Sequence, residues 1–312
     1  GVTSDAQNNT TAGTGAGASF SGTDANNNTL FGKDAGNDIT TGDNNSAFGA
    51  NALEANTSGY ENTALGRDAL KAMQSGNGNV ALGYNTLKTA VTSTGNTAIG
   101  NSALENNTAN NIVAVGKSAA LNNTTATNVT AIGYQALYSN QTGNENTAIG
   151  YQAAYNTTAS RNVAIGQSAM QNNVSGQYNV AVGTQAMTSA SSASYNYNHA
   201  IGYRALRFAS TGGSNTAIGY LALQNVTTGY ANHAIGNGTL DNVTTGIRNI
   251  AIGTDAGNTI VTGNSNMYFG RNADASSSSV GEELVFGQAL TGKGASTFFV
   301  AGTPYNSQNN SS

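Results

Sequence analysis

The sequence predicts an all-β fold, a parallel β-roll (solenoid) of about sixteen 17-residue coils. Three observations carry this expectation. The pattern Asn-x-Ala-(Ile/Leu/Val/Phe)-Gly-x-x-Ala-(Leu/Met/Ala) recurs almost throughout, as in residues 62–70 (NTALGRDAL), 146–154 (NTAIGYQAA) and 215–223 (NTAIGYLAL). Its sixteen glycines run from Gly32 to Gly287 and include the bends at Gly100, Gly150 and Gly219; they stand mostly 17 apart, with excursions of 16 and one of 19. The apolar segments flanking each glycine run about four or five residues, too short for helices and suited to strands joined at a bend. A unit this small cannot bury its own apolar face and must stack on copies of itself.

In chain order, residues 1–27 read as a degenerate N-terminal cap or linker, 28–290 as the β-roll repeat array, and 291–312 as a C-terminal strand and disordered tail. Each coil reads as two short strands and a turn, the turns being rich in Asn, Thr and Gly, as in Asn-Val-Thr-Thr-Gly at 225–229 and 242–246. Ala64 and Leu65 are adjacent, as are Ala69 and Leu70, so the two-residue period of a strand sends them to opposite sides. The expectation is that alanines fill a narrow lumen. Leu65, Leu70, Ile99, Leu104, Ile149, Ile218 and Leu223 then face outward, as apolar ladders that need a partner surface. A residue repeated every coil meets its copy ~4.8 Å away, where like charges repel. That accounts for only 11 Lys+Arg and 15 Asp+Glu in 312 residues. Neutral Asn at the head of the motif (Asn45, Asn62, Asn79, Asn96 and onward) forms an amide ladder instead, lapsing at Ile112 and Val129.

Composition limits the function classes. A net charge of -4 argues against nucleic acid as a partner. Leu, Ile, Val and Phe number 52 against 46 Asn and 40 Gly, too few for a conventional globular core. No run of 18 apolar residues exists, so no membrane insertion is expected, and the absence of cysteine removes disulfides. The chain opens on Gly1 rather than Met, which reads as a processed product or part of something longer.

The segments NTAIGYQAA, NVAIGQSAM (162–170) and NIAIGTDAG (249–257) resemble the YadA-type head repeats of trimeric autotransporter adhesins and the similar β-roll repeats of bacteriophage tail fibres. The match covers about residues 28–290. This resemblance implies a left-handed parallel β-roll with three chains side by side, a homotrimer. Residues 295–302 (ASTFFVAG) look like the segment that precedes an autocleaving chaperone domain in phage fibres.

No nucleophile, base and orienting group come together, so the chain reads as a non-enzyme with no catalytic residue, cofactor or metal site. His199 and His233 share the second motif position, two coils and roughly 10 Å apart, too far to share a metal within one chain. They read as plain substitutions or, where three chains meet, as a ring for an anion or metal. Asp34 and Asp255, each in an Asp-Ala-Gly-Asn string where Gly replaces the usual Leu, read as tapering coils rather than calcium sites. Tyr84, Tyr134, Tyr151, Tyr203 and Tyr220 follow the motif glycine, with Tyr134 and Tyr151, and again Tyr203 and Tyr220, on consecutive coils, a candidate exposed aromatic ladder, either packing along the sheet or stacking on sugar rings. The long spacing places an insertion at 188–198, whose Tyr195 and Tyr197 make the candidate recognition loop. Asn-x-Ser/Thr strings such as those at Asn122 and Asn225 follow from turn composition.

The functional expectation is a structural fibre segment acting as adhesin, spacer and attachment surface, in a phage tail fibre or bacterial surface adhesin. Its place is extracellular, at a cell surface or on a virion. Its partners are itself and a host-surface glycan or protein receptor. The alternative is a subunit of a self-assembling extracellular filament; an ice-binding solenoid would need a more regular Thr-x-Thr face. Coils this short are expected to leave no concavity of several hundred Å³ for a small molecule.

Overall fold

The structure is a computed structural model and describes residues 1–20, 24–189 and 194–300. Among these there is no helix, and nineteen strands run from β1 (Thr3–Ser4) to β19 (Phe298–Val300). They divide between two compact units, the first holding the strands up to β12 (Val180–Val182), the second those from β13 (His199–Ile201) onward. In the first unit β2 (Thr10–Ala12) to β12 pair parallel and in register, so that Ala64 stands between Ala47 and Ala81. In the second, β13 to β19 do the same, with Ala217 between Ala200 and Ala234. Each unit is a β-solenoid, with about 17 turns in the two together.

The array begins earlier than the sequence pattern announces. Within residues 1–27, β2 pairs parallel with β3 (Thr29–Phe31), and Gly13 takes the motif-glycine conformation at φ +130°. Asn9-Thr-Thr-Ala-Gly13 hides this coil because Thr11 replaces the usual Ala and Ala12 the usual large aliphatic residue. β1 lies antiparallel on β2. At the other end β19 pairs with β18 (Leu284–Phe286). The expected disordered tail lies outside the described residues.

Each coil has one three-residue strand, not two. The segment after the glycine is barred from extension by left-handed residues, Asp68 (φ +59°) and Leu70 (φ +52°) in one coil, with equivalents such as Asn85 and Leu87 in the next. Its backbone groups still bond across coils: Asp68 N–H donates to Ala50 O (3.0 Å), and Leu70, Ala72 and Gln74 N–H donate to Thr86, Lys88 and Val91 O (3.0, 3.1 and 2.8 Å). This corrects the expected direction of Leu70, Leu104 and Leu223, which are fully buried. A strand would alternate Ala69 and Leu70 across its two faces; the left-handed turn aims both inward. A left-handed leucine costs ~1–2 kcal/mol, and burying its side chain returns ~1.5–3 kcal/mol in addition to the hydrogen bond, so burial wins. Leu65, Ile149 and Ile218, on true strands, are exposed as expected, and Ile99 is half-buried.

The motif glycine is required twice over. Gly150 sits at φ +138°, and a Cβ there would meet Gly166 O at 2.6 Å and its carbonyl carbon at 2.7 Å; Gly100 and Gly219 occupy the same situation. The amide ladder is as tight. Asn62 donates its N–H (3.0 Å) and its side-chain Nδ2 (3.2 Å) to Asn45 Oδ1, and the same Nδ2 donates to Gly76 O (2.8 Å). A second set of amides donates to the same turn carbonyls whether or not the ladder is intact: Asn56 Nδ2 to Gly59 O (2.9 Å), and, where the ladder lapses at Ile112 and Val129, Asn123 Nδ2 to Ala126 O and Asn140 Nδ2 to Gly143 O (3.0 Å each).

Lumen volume is conserved by size exchange. Where Leu30 replaces the strand alanine, Gly36 replaces the usual leucine, and a Cβ at Gly36 would lie 2.8 Å from Leu30 Cδ1. Where Tyr268 takes the alanine position, Gly257 of the preceding coil makes room for its ring, at 2.9 Å from the missing Cβ. The two Asp-Ala-Gly-Asn strings are therefore packing adjustments around an oversized neighbour.

Two outcomes follow. Gly150→Ala is expected to destabilise the first unit by about 3 kcal/mol or more, adding backbone clash to strain, whereas Gly78→Ala, at φ +62° with open space around the added methyl, costs about 1 kcal/mol. Chemical denaturation of both variants checks the contrast. Leu30→Ala is expected to cost about 3 kcal/mol, and adding Gly36→Leu to recover part of it; a double variant no more stable than Leu30→Ala alone would refute the size exchange.

Candidate functional site

In each unit the strands build a repeated face. From β3 to β18 the middle residue is buried while the outer two point away from the lumen, as in Thr63-Ala64-Leu65 and Thr216-Ala217-Ile218. Parallel register then lines up Ile132, Ile149 and Ile165 in the first unit and Ile201, Ile218, Ile235 and Ile252 in the second. From β2 to β19 the outward positions carry no Lys, Arg, Asp or Glu. His199 and His233 are the only ionisable side chains among them, both exposed, with Thr216 between them on the intervening strand β14 (Thr216–Ile218).

The tyrosine ladder is real, but its rings face one another. Tyr134 and Tyr151 stack with centroids 5.3 Å apart and planes 12° from parallel; Tyr203 and Tyr220 do so at 5.4 Å and 12°. Tyr138 and Tyr155, which the motif does not mark, stack at 5.0 Å and 4°. Burial pushes the Tyr155 hydroxyl up, helped by Tyr138 and Tyr134. Each partner uses one ring face on the other, which is packing along the sheet, one of the two expectations for the ladder, and the second face of each ring lies outside the pair.

The candidate recognition loop divides. Residues 190–193 lie outside the described residues. Tyr195 is fully buried in the second unit and donates its hydroxyl to Met187 O at 2.7 Å, and burial pushes that hydroxyl well up. It is a core residue, since a large ring can fill the lumen beside the insertion, and it is not available to a ligand. Tyr197 is 57% exposed.

No protein-family model matches the chain, and no curated protein matches it. The site is therefore read from its geometry. Two open grooves of about 380 Å³ contradict the expectation that the surface has no such hollow. One is floored by Ala55 and Ala72, whose small side chains leave space between Glu54, Lys71 and Lys88. Lys71 Nζ pairs with Glu54 (3.2 Å) and Asp68 (3.6 Å), and the Glu54 contact raises its pKa. Burial works to raise Asp68, yet the Asn51 amide at 2.8 Å and the Lys71 and Arg67 charges outweigh it and hold the carboxyl below the usual carboxylate range. The other groove is lined by Ala231, His233, Arg248, Ile250, Ser265 and Met267, with no carboxylate. Among the described residues no group of three or more His, Asp or Glu is placed to hold a metal ion. No helix among them is long and apolar enough to cross a membrane.

Tyr195→Ala is expected to destabilise the second unit by about 3–5 kcal/mol, while Tyr197→Ala changes stability by less than about 0.5 kcal/mol. Thermal unfolding of the two variants separates a core ring from a surface one.

Proposed function

We propose that this chain is a non-enzymatic structural fibre segment whose solenoid surface serves as spacer and attachment platform, in a phage tail fibre or bacterial surface adhesin outside the cell. The observation that carries the reading is the strand face free of Lys, Arg, Asp and Glu, which from β3 to β19 repeats Ile, Leu, Val or Phe at its outer edge. In the first unit alone, eleven three-residue strands ~4.8 Å apart, rising ~3.3 Å per residue, give a face of roughly 500 Å². That is more than half of the ~800 Å² each partner contributes to a standard interface. A second copy of the same face is the self-matching occupant, since stacked apolar columns offer the same spacing to each other.

A left-handed, three-chain arrangement is the form that the resemblance to trimeric adhesin heads and tail fibres suggests. Recognition of a host glycan or protein falls to exposed turns, with Tyr197 a better placed residue than the stacked ladder. The reading of a filament growing end to end is less well supported, because β1 already covers the outer edge of β2.

Ile149→Asp, alone or with Leu65→Asp on a distant strand, is expected to convert the associated protein to folded monomers of 31.4 kDa, with the far-ultraviolet circular dichroism unchanged. Sedimentation velocity measures this directly. A wild-type protein that sediments as a folded monomer at micromolar concentration overturns the reading.

A further inference from the structure

We infer that the strand face of the second unit is a pH-gated self-association surface, closing on a second copy of the chain when His199 and His233 are neutral and opening when they are protonated. This rests on the self-association reading above and adds its regulation. The outward strand positions exclude Lys, Arg, Asp and Glu from β2 to β19, yet two imidazoles stand within three consecutive strands of one unit. Elsewhere that register position takes Thr, Ser, Val, Ile, Leu, Met or Phe, none of which titrates. The face thus carries one kind of chargeable group, and it is the one that changes charge between pH 5 and 8.

The groove beside His233 has no carboxylate in its lining to serve as counter-charge. His199 is paired with Thr216 on β14, and His233 lies between Thr216 and Ile250. The groove beside His233 brings Arg248, Ala231, Ser265 and Met267 to it, so the charged group facing it is a cation. Exposed to water, imidazolium is well solvated. Against a second apolar face it would be desolvated beside Ile235, Ile252 and its own copy, and next to Arg248. Association therefore favours the neutral form. Protonation on acidification weakens association.

The test is sedimentation velocity of the intact chain across a concentration series at pH 7.5 and 5.5, on wild type, on His199→Thr/His233→Thr, and on His199→Lys/His233→Lys. Thr occupies the same position on β14, and both sites are exposed, so these variants are expected to fold. For wild type the half-association concentration is expected to rise roughly ten-fold or more from pH 7.5 to 5.5. The Thr variant should associate equally at both pH values, and the Lys variant weakly at both. Wild type that associates equally at pH 7.5 and 5.5 overturns the gating while leaving self-association standing. A Thr variant that keeps the full pH dependence overturns the assignment to these histidines. Wild type that is monomeric at both pH values overturns self-association and the gating with it.

Discussion

Within each unit a side chain lies one strand spacing, ~4.8 Å, from its counterparts on the coils before and after. That single distance selects residue types position by position. It admits a glycine against a glycine carbonyl, as at Gly150 and Gly166, and excludes even a methyl. It suits an amide that accepts from one neighbour and donates to another, as Asn62 does between Asn45 and Asn79. It stacks aromatic rings face to face at Tyr134 and Tyr151. It penalises like charge, and some charges on neighbouring coils pair with the opposite sign, as Glu54 and Lys71 do.

The same constraint makes left-handed backbone tolerable. Leucine at φ +52° is unfavourable in isolation, but each coil repeats it, and the carbonyls and amides thus displaced find partners one coil away. Strain and satisfaction recur with the same period. Volume follows that logic too: lumen residues may change, as Leu30 and Tyr268 do, provided a neighbour shrinks to glycine. The solenoid is thus strict about hydrogen-bond geometry and permissive about how the lumen is filled.

Function in such a fold is confined to what the interior does not use. The outer residues of each strand, the stacked rings beside the glycines, the two grooves and the turns are the available surfaces. Of these the strand face is the most regular, and the proposed self-association rests on it. Among the described residues the two histidines are the only ionisable side chains at its outward positions.

The sequence alone was enough for the period, the single class of structure, the glycine bends and the Asn ladder, because each of these depends on a residue meeting its own copy. It also placed Leu65, Ile149 and Ile218 outside, where true strands alternate. What only the tertiary structure decided lies where the local backbone departs from a strand. Leu70, Leu104 and Leu223 turn inward through left-handed φ values that no residue pattern announces, since leucine rarely adopts them. Tyr195, read as part of a surface loop, fills the interior because its coil has room there. The amides of Asn56, Asn123 and Asn140 bond turn carbonyls from a second position in the coil, which the motif does not mark. Periodicity fixes which residues meet; the path of the chain between those meetings is set by packing and hydrogen bonding that one repeat cannot express by itself.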